Sequence, residues 1–428
     1  MVMRTLKMTK ATVGFLSICC LGGLIAISKT YLSNVFTDVR GLQEVSPRMI
    51  FPQPTLQERQ LVDAQVQFGF KLFSTLTKSQ KNENIFICPT SLALTLSMLY
   101  NGATGITQTE IARGLGFNDI SANTLNRANQ TLKQDLNSHD FYRYLTMTNS
   151  LWAREGFSFR YQFLKDSRSY YQAKITNLDF ASSEARGIMN RWVTEETQGQ
   201  IQEIMDHTQA DDVLFLINTA SFQGVWETGF DRNSMEDKPF HLIDQSVKTY
   251  PFISRYGTYN YLETSQIKGV EIPYENGRFS LYLFLSKPEN NLTQIVQELT
   301  AKKLSKLLSK FQETNLLLEL PRFTLNYEVD LTESLKKLGF STMFDSGKAQ
   351  FSELSSHPTY VNGIKHQTTL VINEQGVKQT PQKNLVVKAT SVNNVTEQMS
   401  FTADRPFFSL IRDNETGNIL FMGMIFEP

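Results

Sequence analysis

The chain is poor in the side chains that build metal centres and disulfide frameworks. It has three cysteines in 428 residues, two of them adjacent at Cys19 and Cys20 and the third at Cys88. Its five histidines, His139, His207, His241, His357 and His366, are scattered. No CxxC, HExxH or paired Cys/His spacing occurs, so a metal site and a disulfide scaffold both lack support, and no cofactor is expected. It has no excess of either charge, with 42 basic against 42 acidic residues, and no long basic run, which argues against a nucleic-acid partner. The GxSxG elbow of a hydrolase is missing, and Gly114-Leu115-Gly116 lacks the strand–helix setting of a dinucleotide site. No enzymatic activity is expected. What remains is ordinary globular usage, 41% hydrophobic and 20% charged, with 30 Phe and 15 Tyr to fill a core.

The first residues carry Arg4, Lys7 and Lys10 ahead of an uncharged run over 11–27, with Ala26 and Ser28 as small residues before a cut. This pattern predicts a signal peptide or N-terminal anchor over 1–28 and an exported chain, secreted or periplasmic, or tethered by residues 11–27. Residues 29–55, with Pro47, Pro52 and Pro54, read as a linker. From 56 to 428 no linker or repeat interrupts the chain, so one domain is expected, as a monomer.

Periodicity predicts a helix through Leu61, Ala64, Phe68, Leu72 and Leu76, a buried helix over Ser91–Tyr100, and a helical pattern from Met189 to Met205. Short β-rich runs predict strands at Val213–Ala220, Tyr256–Glu263, Gly269–Pro273, Phe279–Leu285, Leu316–Leu320 and Thr368–Asn373, and a hairpin of Phe407–Arg412 with Ile419–Phe426. Helices followed by many strands imply an α+β fold. Lys302, Lys303, Lys306 and Lys310 invite a heparin-type reading. Leu304, Leu307, Leu308 and Phe311 fall at helical spacing between them, so the lysines are read as the solvated face of an amphipathic helix.

Between two of the predicted strands, residues 375–400 form a long polar stretch without core periodicity. A loop of that length inside a compact domain is a bait, a binding loop or an insertion. Asn-x-Thr triplets stand at Asn129, Asn291, Asn394 and Asn414.

From about residue 61 to 428 the chain resembles the serpin family. The segments that carry the resemblance are Asn84–Phe117 (NIFICPTSLALTLSMLYNGATGITQTEIARGLGF), Met189–Ile204 (MNRWVTEETQGQIQEI), Leu216–Phe230 (LINTASFQGVWETGF), Leu317–Phe340 (LLELPRFTLNYEVDLTESLKKLGF), Ile364–Gly376 (IKHQTTLVINEQG) and Arg405–Phe426 (RPFFSLIRDNETGNILFMGMIF). The resemblance implies three mainly antiparallel sheets, eight or nine helices and an exposed reactive loop. It further implies that a serine protease cuts the loop, which then inserts into the main sheet and traps the enzyme, with no catalytic group supplied by the serpin. It puts Ser91, Asn218 and His366 in a polar cluster beneath the opening sheet and Trp226 where the sheet first parts. Cys88 stands where many members carry Ser, so a donor is weakened there, and it is read as a small buried filler.

Glu374, Gly376 and Val377 fit the family's hinge. Beyond them the residues that would face inward include Gln379, Pro381 and Lys383. Pro381 lacks a ladder donor. An unpaired buried Lys383 costs on the order of several kcal/mol, and an unsatisfied Gln379 about 1–3 kcal/mol. Counting from the hinge sets the scissile bond at Thr390–Ser391, and counting back from Pro406 sets it at Val395–Thr396. Both suit an elastase- or subtilisin-like protease, whereas a trypsin-like enzyme would cut after Lys388. The expected function is suicide inhibition of serine endopeptidases. The alternative is a non-inhibitory serpin, a protease substrate or carrier, for which Gln379, Pro381 and Lys383 speak.

Overall fold

The computed structural model describes residues 55–117, 120–137, 143–197, 199–275, 277–376 and 399–428. The export segment, the linker up to residue 54, and the expected loop residues from Val377 to 398, with every scissile-bond candidate, lie outside them.

The described chain starts as a helix for a local reason. The Thr55 side chain accepts from the Glu58 amide while Glu58 reaches back to the Thr55 amide, a reciprocal cap on α1 (Leu56–Ser79). Of the predicted apolar stripe of this helix, Leu61, Phe68, Leu72 and Leu76 are buried and Ala64 is half-buried against the core. After strand β1 (Ile85–Ile87), Pro89 opens α2 (Pro89–Gly102), which is buried on nearly every side. Then follow α3 (Gly105–Leu115), α4 (Ala122–Asn137), β2 (Arg143–Arg154), α5 (Tyr161–Tyr171), β3 (Lys174–Leu178) and α6 (Glu184–Glu196). The helical pattern expected to reach Met205 stops at Glu196. Thr197 takes its side chain to the Val193 carbonyl at 2.7 Å and accepts from the Ile201 amide at 3.1 Å, and Gly199 adopts φ +82°. Ile201, Ile204 and Met205 still pack with Met189 and Val193 as an extended cover.

The remaining elements are β4 (Leu214–Gly224), β5 (Glu236–His241), β6 (Val247–Glu263), β7 (Ile267–Pro273), β8 (Phe279–Ser286), α7 (Leu292–Gln297), α8 (Ala301–Leu308), β9 (Gln312–Pro321), β10 (Phe323–Asp330), α9 (Thr332–Lys337), β11 (Gly363–Ile372), β12 (Ser400–Thr402), β13 (Phe407–Asp413) and β14 (Ile419–Ile425). In α8, Leu304 is buried and Leu307 and Leu308 pack on the core, as the amphipathic reading required.

Nine helices among the described residues agree with the expected number. The strands join into two hydrogen-bonded sheets rather than three. One runs β1-β14-β13-β8-β7-β6-β9-β12, with β5 also on β6; the other runs β10-β11-β4-β2-β3. The cause is β6, whose first part pairs with β5 and whose last part pairs with β7, while β9 pairs with the middle, from Phe252 to Tyr261, and links the two. At about 3.3 Å per residue this 17-residue strand is long enough to serve two layers. The main core lies between the two sheets, where α2 packs against β14, β4 and β2. A smaller core with Trp152, Phe180, Met189, Val193 and Ile217 seats α6 on the other face of the five-stranded sheet.

Candidate functional site at the centre of the five-stranded sheet

At the centre of this sheet, β11 and β4 run parallel over eight residue pairs, from Gly363 opposite Phe215 to Leu370 opposite Phe222. Their outer neighbours β10 and β2 are antiparallel to them. Parallel ladders are somewhat weaker per residue than antiparallel ones.

Beneath the seam His366 of β11 stands opposite Asn218 of β4, and both are fully buried. The Cys88 amide donates to His366 Nε2 at 3.0 Å, which fixes Nδ1 as the protonated nitrogen, donating to Asn218 Oδ1 at 2.6 Å. The Asn218 amide in turn donates to Ser91 Oγ and to Asn149 Oδ1, each at 2.6 Å, with Thr95 Oγ1 at 3.0 Å. Burial pushes the His366 pKa down to about 3, so the ring is neutral at physiological pH.

The structure thus brings Ser91, Asn218 and His366 together. Cys88 joins them through its backbone: the residue is free and buried, and burial pushes its thiol up to about 12. Because the main chain makes the contact to His366, a Cys in place of Ser leaves that bond intact. Two members of the cluster escaped the sequence reading. Asn149 is a polar residue at an inward position of the alternating run Leu145, Met147, Leu151 and Ala153, all buried. Thr95 stands four residues after Ser91 in an apolar helix, on the same face. Both departures from pattern were readable signals.

At one end of the seam the chain leaves β11 through a turn at Asn373–Gly376. Gly376 forms an antiparallel bridge with Val225, directly after β4. It has φ +71°, and a Cβ there would lie 2.0 Å from the Gly224 carbonyl oxygen, so only glycine fits the approach. Trp226 holds the turn: its indole donates to the Asn373 carbonyl at 2.8 Å, and its ring stacks on Tyr274 at 4.6 Å. The Phe230 amide donates to the Glu374 carbonyl at 2.8 Å. The Glu374 carboxylate lies 3.1 Å from Arg232 and 3.2 Å from Arg322. Burial raises its pKa, but backbone hydrogen bonding and the two guanidinium groups outweigh that and hold it below the usual carboxylate range. Glu374, Gly376 and Trp226 therefore meet at one point. The other hinge residues, Val377, Gln379, Pro381 and Lys383, fall outside the described residues.

Comparison with known proteins agrees with this architecture. The family model for Serpin (serine protease inhibitor) matches residues 63–428. The leukocyte elastase inhibitor of Equus caballus is 30% identical over 384 residues, covering 86% of this chain and all of the relative. Serpin B4 of Homo sapiens is 30% identical over 392 residues, covering 86% and 99%. Among solved structures, the thermophilic serpin tengpin in its native state superposes with a TM-score of 0.80 at 27% identity, over 88% of this chain and 96% of that one. These relatives correct the expectation of an exported chain. The leukocyte elastase inhibitors and their clade are intracellular proteins, and no helix among the described residues is long and apolar enough to cross a membrane. The relatives are protease inhibitors rather than catalysts. With the family model matching residues 63–428 and a 30% identical relative covered over its whole length, the chain belongs to the serpin family of serine protease inhibitors.

Proposed function

We propose that the chain is a pseudo-substrate trap for serine endopeptidases of elastase or subtilisin type. In this reading a protease cleaves the segment after Gly376, and the severed strand enters the seam between β11 and β4. The observation that carries it is the parallel β11–β4 pair with the Gly376–Val225 bridge at its end. A strand turning back from β11 runs antiparallel to β11, and therefore antiparallel to β4 as well. One eight-pair parallel ladder is exchanged for two antiparallel ones, a net gain of about eight hydrogen bonds worth roughly 1 kcal/mol each. Opening requires His366 and Asn218 to part, which assigns the polar cluster the role of a latch. Ser91, Cys88 and the Trp226 contact support it.

The non-inhibitory reading has its own motive in Gln379, Pro381 and Lys383. Extending the antiparallel register from Val225 opposite Gly376 sets these residues opposite Phe222, Ala220 and Asn218. The lysine would then arrive beside the hydroxyl and amide oxygens of Ser91, Thr95 and Asn149, which lowers the cost of burying it. Pro381 still lacks its donor. We therefore favour the trap. Incubation with elastase, subtilisin and trypsin should give an SDS-resistant band at the summed mass with at least one enzyme. Cleavage without such a band throughout would leave the substrate or carrier reading.

A further inference from the structure

We infer that the cavity between α1, α3 and the chain that follows α9 binds a small monocarboxylate with an apolar body, held through Arg113 and Lys71. The cavity has a volume of about 420 Å³, within the size range of small-molecule sites. Phe68 of α1 and Leu338 after α9 give it an apolar lining. One close approach holds that lining in place. At Gly114 of α3 a Cβ would lie 2.1 Å from the Phe340 ring. Its absence lets Phe340 reach Phe68, edge to face at 6.1 Å.

Two cations border the cavity without a partner. Lys71 of α1 and Arg113 of α3 are exposed, and neither side chain has an ion pair or hydrogen bond with another described residue. The one carboxylate in the lining, Glu110, is already engaged: it accepts from the Thr342 amide at 2.7 Å and from the Thr342 hydroxyl at 2.5 Å. Asp63 of α1 lines the neighbouring cavity and not this one. Two positive groups and one negative leave a net charge of +1 around the cavity, which a monoanion balances. Ser341, also in the lining, has a main-chain amide with no acceptor among the described residues.

The donor set selects the ligand. A guanidinium presents a planar fork that matches a carboxylate, and an ammonium adds a point charge. A polyanion would carry more charge than this lining balances, and a neutral molecule would leave both cations unused. Phe68, Leu338 and the aliphatic stem of Lys71 call for an aromatic or short hydrocarbon body. None of these residues belongs to the His366 cluster or to the turn at Glu374, so the inference stands apart from the trap reading.

The test is calorimetric titration of the full chain with 2-naphthoate, and with 2-naphthamide as its neutral counterpart. Wild type should bind the carboxylate at one site per chain with a Kd of about 1 mM or tighter, and the amide at least tenfold more weakly. Arg113→Gln together with Lys71→Gln should weaken the carboxylate at least tenfold. Because both side chains are exposed, the double variant should melt at the wild-type temperature when no probe is present. Equal affinity for the acid and the amide would overturn the inference, as would a Kd within twofold of wild type in the double variant. So would the absence of saturable binding up to about 10 mM probe, ten times the expected Kd. Displacement of the naphthoate by equimolar sulfate would show an adventitious anion position only and would also overturn it.

Discussion

Acid should loosen the seam of the five-stranded sheet through a single histidine. His366 is fully buried and uses both ring nitrogens in one tautomer, donating to Asn218 and accepting from the Cys88 amide. Protonation would aim a second N–H at that amide. The folded pKa of about 3 lies below the ordinary 6.5, so the unfolded chain takes up the proton first as pH falls. The stabilisation is complete above pH 6.5 and is lost between 6.5 and about 3, at about 1.4 kcal/mol per pH unit. Between pH 7.5 and 5.0 the loss is about 2 kcal/mol. Urea midpoints at these two pH values, for wild type and His366→Gln, isolate it, because other titrating groups are common to both proteins. Wild type should lose about 2 kcal/mol more than the variant over the interval. Equal losses in the two proteins would refute the assignment.

Two further outcomes follow from buried geometry. Gly376→Ala forces a side chain into a left-handed conformation at a cost of about 1–2 kcal/mol, and its Cβ collides with the Gly224 carbonyl. The bridge to Val225 should break, and the fraction of protease trapped rather than released should fall about tenfold for each 1.4 kcal/mol lost from insertion; titration of inhibitor against enzyme reads it. Asp413→Ala removes the paired contacts at 3.0 and 2.8 Å to the fully buried Arg278, which also binds Asp135 on α4. Stability should fall by about 3–5 kcal/mol in urea unfolding.

Much of this fold was legible in the chain because its strands bury continuous or alternating apolar runs. The predicted strands at Phe279–Leu285 and the terminal hairpin match β8, β13 and β14 almost residue for residue. Some misses have a physical reason. The alternation of β2 is interrupted by polar Asn149 at an inward position, and β5 is mostly exposed on a sheet edge and shows no apolar run. The first part of β6 is likewise exposed, and only pairing with β5 and β9 makes it a strand. The polar cluster was readable in part through its family pattern. Its geometry depends on residues up to 278 positions apart, as for Cys88 and His366, and no local periodicity encodes that. The salt links of Glu374 to Arg232 and Arg322 are long-range in the same way.

The central claim is that the seam between β11 and β4 accepts the cleaved strand, and a melting curve before and after cutting the loop tests it most directly. About eight new hydrogen bonds at roughly 1 kcal/mol each, in a domain of this size, predict a rise in melting temperature of about 10 °C or more. A cleaved protein that melts within about 2 °C of the intact chain, a change equivalent to only 1–2 kcal/mol, would contradict insertion.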